Sequence, residues 1–200
     1  MTVGESKQES LRERRVDSSD RRVLKTREKL IAAFRDRLDS GDVDTLTVTS
    51  IVRAAGVTRS SFYAHFSGVG HLAATALSDL SETIIADARA TIRAGASKTT
   101  VNEQVIYEIT RFISEHRRSY GALLIADPEF GAALAEGMVA STLVTLRTRE
   151  TLAADPEVTA RYLAAGMLAV ITWWLTDDGD RTVEDLARAL IAIAPPDFRD

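Results

Sequence analysis

The stretch TVTSIVRAAGVTRSSFYAHF, Thr47 to Phe66, decides how the rest of the chain is read. It divides into two short helices, about Val48 to Ala55 and Thr58 to Phe66, joined through AAGVT, the layout of a helix-turn-helix. Ala55 is small enough for the two helix backbones to approach. Gly56 supplies the positive φ that a tight turn requires. Val57 plugs a small core, and Thr58 can cap the second helix by accepting a backbone N–H. A 3.6-residue period puts Phe62 and Phe66 on one face, expected to bury against Leu30, Phe34, Ile51 and Val57. Ser60 and Ala64 then point outward, with Arg59 and Tyr63 on one flank and Ser61 and His65 on the other.

Small outward residues let a helix backbone enter a major groove closely. Arg59 is long enough to reach guanine O6 and N7. Tyr63, His65 and Thr47 can donate to phosphates. The same pattern also fits a plain surface helix of an all-α protein, since Ser and Ala are common on surfaces.

Outward from this stretch, helical periodicity dominates and strand signals are poor; TLTVTSIV, Thr45 to Val52, is the one good strand candidate. A first helix is expected from about Asp20 to Leu38, with an apolar stripe through Val23, Leu24, Leu30, Ile31, Phe34 and Leu38, ended by Ser40-Gly41-Asp42. Asp127-Pro128-Glu129 and Asp155-Pro156-Glu157 each read as N-cap, first-turn Pro and first-turn acid. Thr182-Val183-Glu184-Asp185 resembles a capping box with Asp for Glu. Beyond Val69 six helices are expected, near 70–94, 101–117, 119–126, 129–153, 156–176 and 182–193. The expected fold is all-α with about nine helices: a disordered basic arm over 1–20, a three-helix head with the helix-turn-helix over 21–68, and a helical body over 69–200.

The 200 residues contain no cysteine, which excludes disulfides and thiolate chemistry. The first residues lack the apolar core of a secretory signal. The nearly apolar run YLAAGMLAVITWWL, Tyr162 to Leu175, is shorter than the roughly 20 residues a spanning helix needs. A soluble cytoplasmic protein with no membrane partner is expected. Charge is uneven: residues 1–75 carry 13 Lys+Arg against 10 Asp+Glu, and the remainder 12 against 19. The basic end can attract a polyanion while the acidic body stays soluble. Histidines number three, and His65 and His71 are not at the i, i+4 spacing of a helical metal pair. With no Gly-rich phosphate loop or nucleophile elbow either, neither an enzyme, a cofactor nor a metal is expected.

LTVTSIVRAAGVTRSSFYAHFSGVGHL, Leu46 to Leu72, resembles the DNA-binding domain of the TetR family of transcriptional regulators. Thr47-Val48, Ile51, Ala55 to Thr58, Phe62-Tyr63, His65-Phe66 and Leu72 carry the resemblance at fixed spacing. It implies base-reading by Arg59, Ser60 and Ser61, and phosphate contacts from Thr47, Thr58, Tyr63 and His65. One departure stands out. The family's usual Lys before the leucine is Val69 here, within Gly68-Val69-Gly70, which removes one phosphate contact. Arg12, Arg14, Arg15, Arg21 and Arg22 are placed to replace it, or belong to a plain solvated tail.

Tyr162 to Leu175 is apolar on every side, so a helix there must be covered on every side. Burial across a subunit boundary is expected, through Tyr162, Ala165 and Ala169 with Leu186 and Leu190 of the last helix; a purely intramolecular core would use the same composition. The resemblance implies the same homodimer, bound to a palindromic double-stranded operator, acting most often as a repressor. It further implies a small-molecule effector inside the C-terminal body. Tyr107, Phe112, Tyr120, Phe130, Met138, Met167 and Trp173 are the candidate pocket residues, each equally suited to core packing. The few charges on the body's apolar faces favour an apolar or amphipathic effector. ITWWLTDDG and FISEHRRSYGALL are similar to the subgroup of dihydroxyacetone-kinase regulators. The competing expectation is a ligand- or protein-binding regulator with weakened DNA binding, motivated by Val69.

Overall fold

Helix α1 runs from Val3 to Asp39, α2 from Val48 to Ala55 and α3 from Arg59 to Tyr63. Helices α4 (Val69–Arg93), α5 (Lys98–Glu115), α6 (Arg117–Ala126), α7 (Pro128–Leu146), α8 (Pro156–Thr176) and α9 (Val183–Ile193) follow. This computed structural model describes residues 3–147, 154–177 and 179–193, and of residues 3–20 and 98 the backbone alone. No strand occurs among the described residues. The strand candidate Thr45 to Val52 instead spans the end of a 3-10 turn, Val43–Thr45, and the start of α2. The Thr47 hydroxyl accepts from Ser50 N–H at 3.2 Å, a cap that commits the following β-branched residues to helix.

Two features of α1 differ from expectation. The helical backbone begins at Val3, so residues 3–20, expected as a disordered arm, continue α1. Their Glu, Gln, Lys and Arg are good helix formers even without an apolar face. The apolar stripe is buried only from Leu30 onward; Val23 and Leu24 are exposed. Helix α7 ends at Leu146 with Arg147 as its C-cap, and residues 148–153 of the expected helix lie outside the described residues.

One apolar cluster runs through the whole molecule. It joins Leu30, Phe34, Ile51, Phe62 and Phe66 of the head to Leu72 and Leu77 of α4, then to Tyr120, Phe130, Trp174 and Leu186 of the body. Tyr120 stacks on Phe130 with centroids 5.8 Å apart, and burial pushes its phenol pKa upward. Trp174 is buried; its Nε1–H donates to the Arg181 carbonyl at 3.2 Å, and the Arg117 guanidinium lies 5.0 Å from its ring. Arg117 also donates to the carbonyls of Trp174 and Asp177, tying the end of α8 to α6.

Helices α7 and α8 are each long and apolar enough, by length and composition, to cross a membrane, and 22% of each such window is buried. Much of their remaining apolar surface faces an internal cavity or forms an exposed stripe, both described below.

At α9 the capping box is formed with Asp185 in the role of Glu. Thr182 Oγ1 accepts from Asp185 N–H at 3.1 Å and donates to its carboxylate at 3.0 Å. The hydrogen bond from the Thr182 hydroxyl, followed by one from the Thr182 backbone N–H, holds the Asp185 carboxyl below its ordinary value of 3.8. A depressed carboxyl contributes stability that is complete above its ordinary value and is lost as pH falls through the lowered one. Amide protection in the first turn of α9 should therefore hold from neutral pH to about 4 and fall below it. Thr182→Ala should shrink that acid step, leaving the part that the Thr182 backbone N–H and Arg188 supply; hydrogen exchange across the pH range checks it.

Candidate nucleic-acid interface and ligand cavity

The head is built as its sequence reads. Gly56 takes φ +64°, and its N–H bonds back to Arg53 at 3.3 Å, closing α2. Thr58 Oγ1 accepts from Ser61 N–H at 3.1 Å and starts α3. Phe62 and Phe66 are buried at 0% and 2% exposure, which rotates the opposite face of α3 outward. Arg59, Ser60, Tyr63 and Ala64 are exposed there, with Ser61 and His65 half-buried on the flank. Arg59 makes no hydrogen bond or ion pair among the described residues. The Ser60 and Ser61 hydroxyls both lie 2.8 Å from Thr58 Oγ1, so one cap orders two polar side chains. Tyr63 is held edge-on against Phe62, centroids 5.4 Å apart, leaving its hydroxyl end free. Helix α3 is shorter than expected, since it ends at Tyr63; the turn to Phe66 continues through bonds from Ala64 N to Ser60 O and Phe66 N to Phe62 O.

Five contacts fix the head and the start of α4 to the rest of the body. Arg27 pairs with Asp79 through two 3.3 Å bonds, and Arg35 donates to the Ala76 carbonyl at 3.2 Å, binding α1 along α4. His116 Nε2 lies 3.0 Å from Asp39 Oδ1 and its Nδ1 2.9 Å from the Phe112 carbonyl. This histidine is 12% exposed and joins α1 to the α5–α6 corner. A neutral ring donates to only one of these two acceptors. At the start of α4, Gly70 N–H donates to Asp127 Oδ2 at 2.9 Å, and the Ser67 hydroxyl donates to the Glu129 carboxylate. Asp127 also caps α7 by accepting from Glu129 N–H at 3.1 Å. Gly70 is required here: a Cβ would sit 2.4 Å from Asp127 Oδ2.

Helices α4, α5, α7, α8 and α9 line a partly open cavity of about 1000 Å³. Its walls are aliphatic, among them Leu77, Ile85, Ile106, Leu163 and Ile191. Of the expected pocket residues, Met138 and Met167 line it. The other five do not. Tyr120, Phe130 and Phe112 belong to the core packing between α5, α6 and α7. Tyr107 points to α9, its hydroxyl 3.1 Å from Glu184, and that acceptor raises its pKa. Trp173 is 45% exposed, with the Arg181 guanidinium 4.9 Å from its ring. Aromatic size selected the wrong set, because the rings fill the core and the branched aliphatics line the void.

Arg89 is the lining residue that periodicity gave no reason to single out. It is half-buried, and its guanidinium donates to Thr145 Oγ1 at 3.0 Å. On α8, Val158, Tyr162, Ala165, Ala169 and Trp173 form one exposed stripe. Leu186 and Leu190, expected on the same interface, are buried inside the protomer at 2% and 5% exposure. The exposed side of α9 carries Ala189 and Ile193 instead.

No family model matches the sequence, and no curated protein matches it. Solved structures do match in three dimensions. A TetR-family repressor FadR of Thermus thermophilus, in complex with lauroyl-CoA, matches with TM-score 0.59 at 16% identity, over 84% of this chain and 92% of that one. RolR in complex with resorcinol matches with TM-score 0.55 at 18% identity, over 87% and 89%. AlkX, a TetR-family repressor of Dietzia sp. strain DQ12-45-1b implicated in n-alkane biodegradation, matches with TM-score 0.54 at 20% identity, over 84% and 91%. From helix-turn-helix head to helical body, this chain has the fold of the TetR-family transcriptional regulators.

Proposed function

We propose that the protein is a DNA-binding transcriptional regulator that grips a palindromic operator as a homodimer and is released by a small apolar or amphipathic effector. The outward face of α3 carries this reading: buried Phe62 and Phe66 direct exposed Arg59, Ser60 and Tyr63 away from the core. In it, Arg59, Ser60 and Ser61 read bases, and Thr47, Thr58, Tyr63 and His65 hold phosphates. The exposed α8 stripe with Ala189 and Ile193 of α9 forms the dimer face. Two heads about 34–36 Å apart would meet successive major grooves. The cavity receives the effector, in keeping with the fold neighbours solved with lauroyl-CoA and resorcinol. Repression is the mode proposed, since a dimer on a promoter blocks polymerase.

Selection of genomic fragments by the purified protein, followed by salt titration beside Arg59→Ala, tests it. The expected result is a palindromic site whose affinity falls steeply with salt. Arg59→Ala should cost about 1–3 kcal/mol and relax preference at one base position in each half-site. Only salt-sensitive binding without an enriched site would sink the reading.

A second reading, a ligand- or protein-binding regulator with weakened DNA binding, is favoured by the start of α4. Val69 stands where a phosphate-binding lysine is usual, and the carboxylates of Asp127 and Glu129 reach that same helix end. A shallow salt dependence would support it.

A further inference from the structure

We infer that the cavity takes an unbranched aliphatic carboxylic acid, its carboxylate bound by Arg89 and its chain laid along α4; the inference deepens the effector reading above and rests on it. The walls exclude other chemistries first. Among the described residues no Phe or Trp lines the cavity, and the one ring, Tyr162, is 77% exposed. A planar aromatic ligand thus finds no buried ring to stack against. The cavity is also long. It touches α4 from Leu77 to Arg93, a span of about 24 Å at 1.5 Å rise per residue. A flexible chain fits such a shape.

The head group follows from charge. Of the charged residues bordering the cavity, Glu82, Arg93 and Glu103 are exposed, and Arg89 is half-buried. Arg89 has five N–H donors, and its described bond is to the neutral Thr145 hydroxyl. It pairs with no carboxylate among the described residues. A guanidinium withdrawn from water without a counter-ion is complementary to a carboxylate, which it binds through two parallel hydrogen bonds. Arg93, one turn further along the same face, adds positive charge at this end.

Calorimetric titration of the full chain with decanoate and with 1-decanol, below aggregation of either, tests the assignment. Decanoate should bind more tightly than decanol. Arg89→Gln should weaken decanoate about tenfold or more and leave decanol nearly unchanged. Gly166→Leu supplies a second handle. Gly166 is an exposed residue at the cavity's margin and a Cβ there meets nothing within 4 Å, so a larger side chain is accommodated beside the opening without a clash. It should weaken both probes, with melting and dimer content confirming that each variant is folded. Equal affinity for acid and alcohol, or decanoate binding indifferent to Arg89→Gln, overturns the inference. Binding of neither probe by a protein that still selects an operator overturns it and leaves the regulator reading standing. Arg89-dependent decanoate binding that does not loosen the operator upholds it and removes release as the response.

Discussion

Phe62→Ala is expected to cost about 3–5 kcal/mol and to abolish the operator binding proposed above. The ring is fully buried, edge-on to Tyr63 and 5.9 Å from Phe66, and it is the hub that fixes which side of α3 faces out. Removing it leaves a void in a head made of three helices, with little other apolar surface to collapse into the gap. Total stability of a natural domain is about 5–15 kcal/mol, so the loss is a large share. The effect should not stay in the head. The apolar cluster is continuous through Leu72 and Ala73 into the body, so denaturation should remain one transition, moved to lower denaturant. Tryptophan fluorescence, reporting Trp173 and Trp174 of the body, and circular dichroism should shift together. A separate early transition in dichroism alone, or a shift below about 1 kcal/mol, would show that head and body fold independently or that Phe62 is not the hub.

The second large effect lies where α7 meets α4. Asp127 caps α7 with one carboxylate oxygen and accepts from Gly70 N–H with the other. Asp127→Ala removes a helix cap and a charge-assisted hydrogen bond to a part-buried donor, an expected loss of about 2–4 kcal/mol. Gly70→Ala approaches the same joint from the other side. Its Cβ would overlap the carboxylate and push Asp127 away, at about 1–3 kcal/mol. Because both act on one contact, the double variant should be less destabilised than the two losses added, with coupling of about 1 kcal/mol or more. Simple additivity in urea denaturation would mean that the contact contributes nothing.

The head was legible in the sequence because its rules are local. Gly56 must take a positive φ, Thr47 and Thr58 cap the helices they precede, and the Phe62–Phe66 spacing fixes one buried face. The starts of α7 and α8 were legible for the same reason, in Asp127-Pro128 and Asp155-Pro156. What depends on distant partners was not. Asp127 reads as a cap, and nothing local says that its second oxygen reaches 57 residues back to Gly70. His116 reads as a helix end until Asp39 is placed beside it. The cavity was misjudged because an apolar helix face looks the same whether it meets a neighbour or a void; Leu186 and Leu190 were misassigned to a partner for that reason. The start of α1 was missed because a polar helix has no periodic signal.

Helix α4 does two jobs with one rigid rod. It is held along α1 of the head through Arg27–Asp79 and Arg35–Ala76, and from Leu77 to Arg93 it is a wall of the cavity. Any tilt that changes one end changes the other. For the regulator proposed above, thermodynamic reciprocity would set a rule for the cell: whatever factor the ligand takes from affinity for DNA, the DNA takes from affinity for the ligand. A chromosome with more binding sites makes the same protein a less sensitive detector. The dose at which genes respond is thus a property of the genome as well as of the pocket.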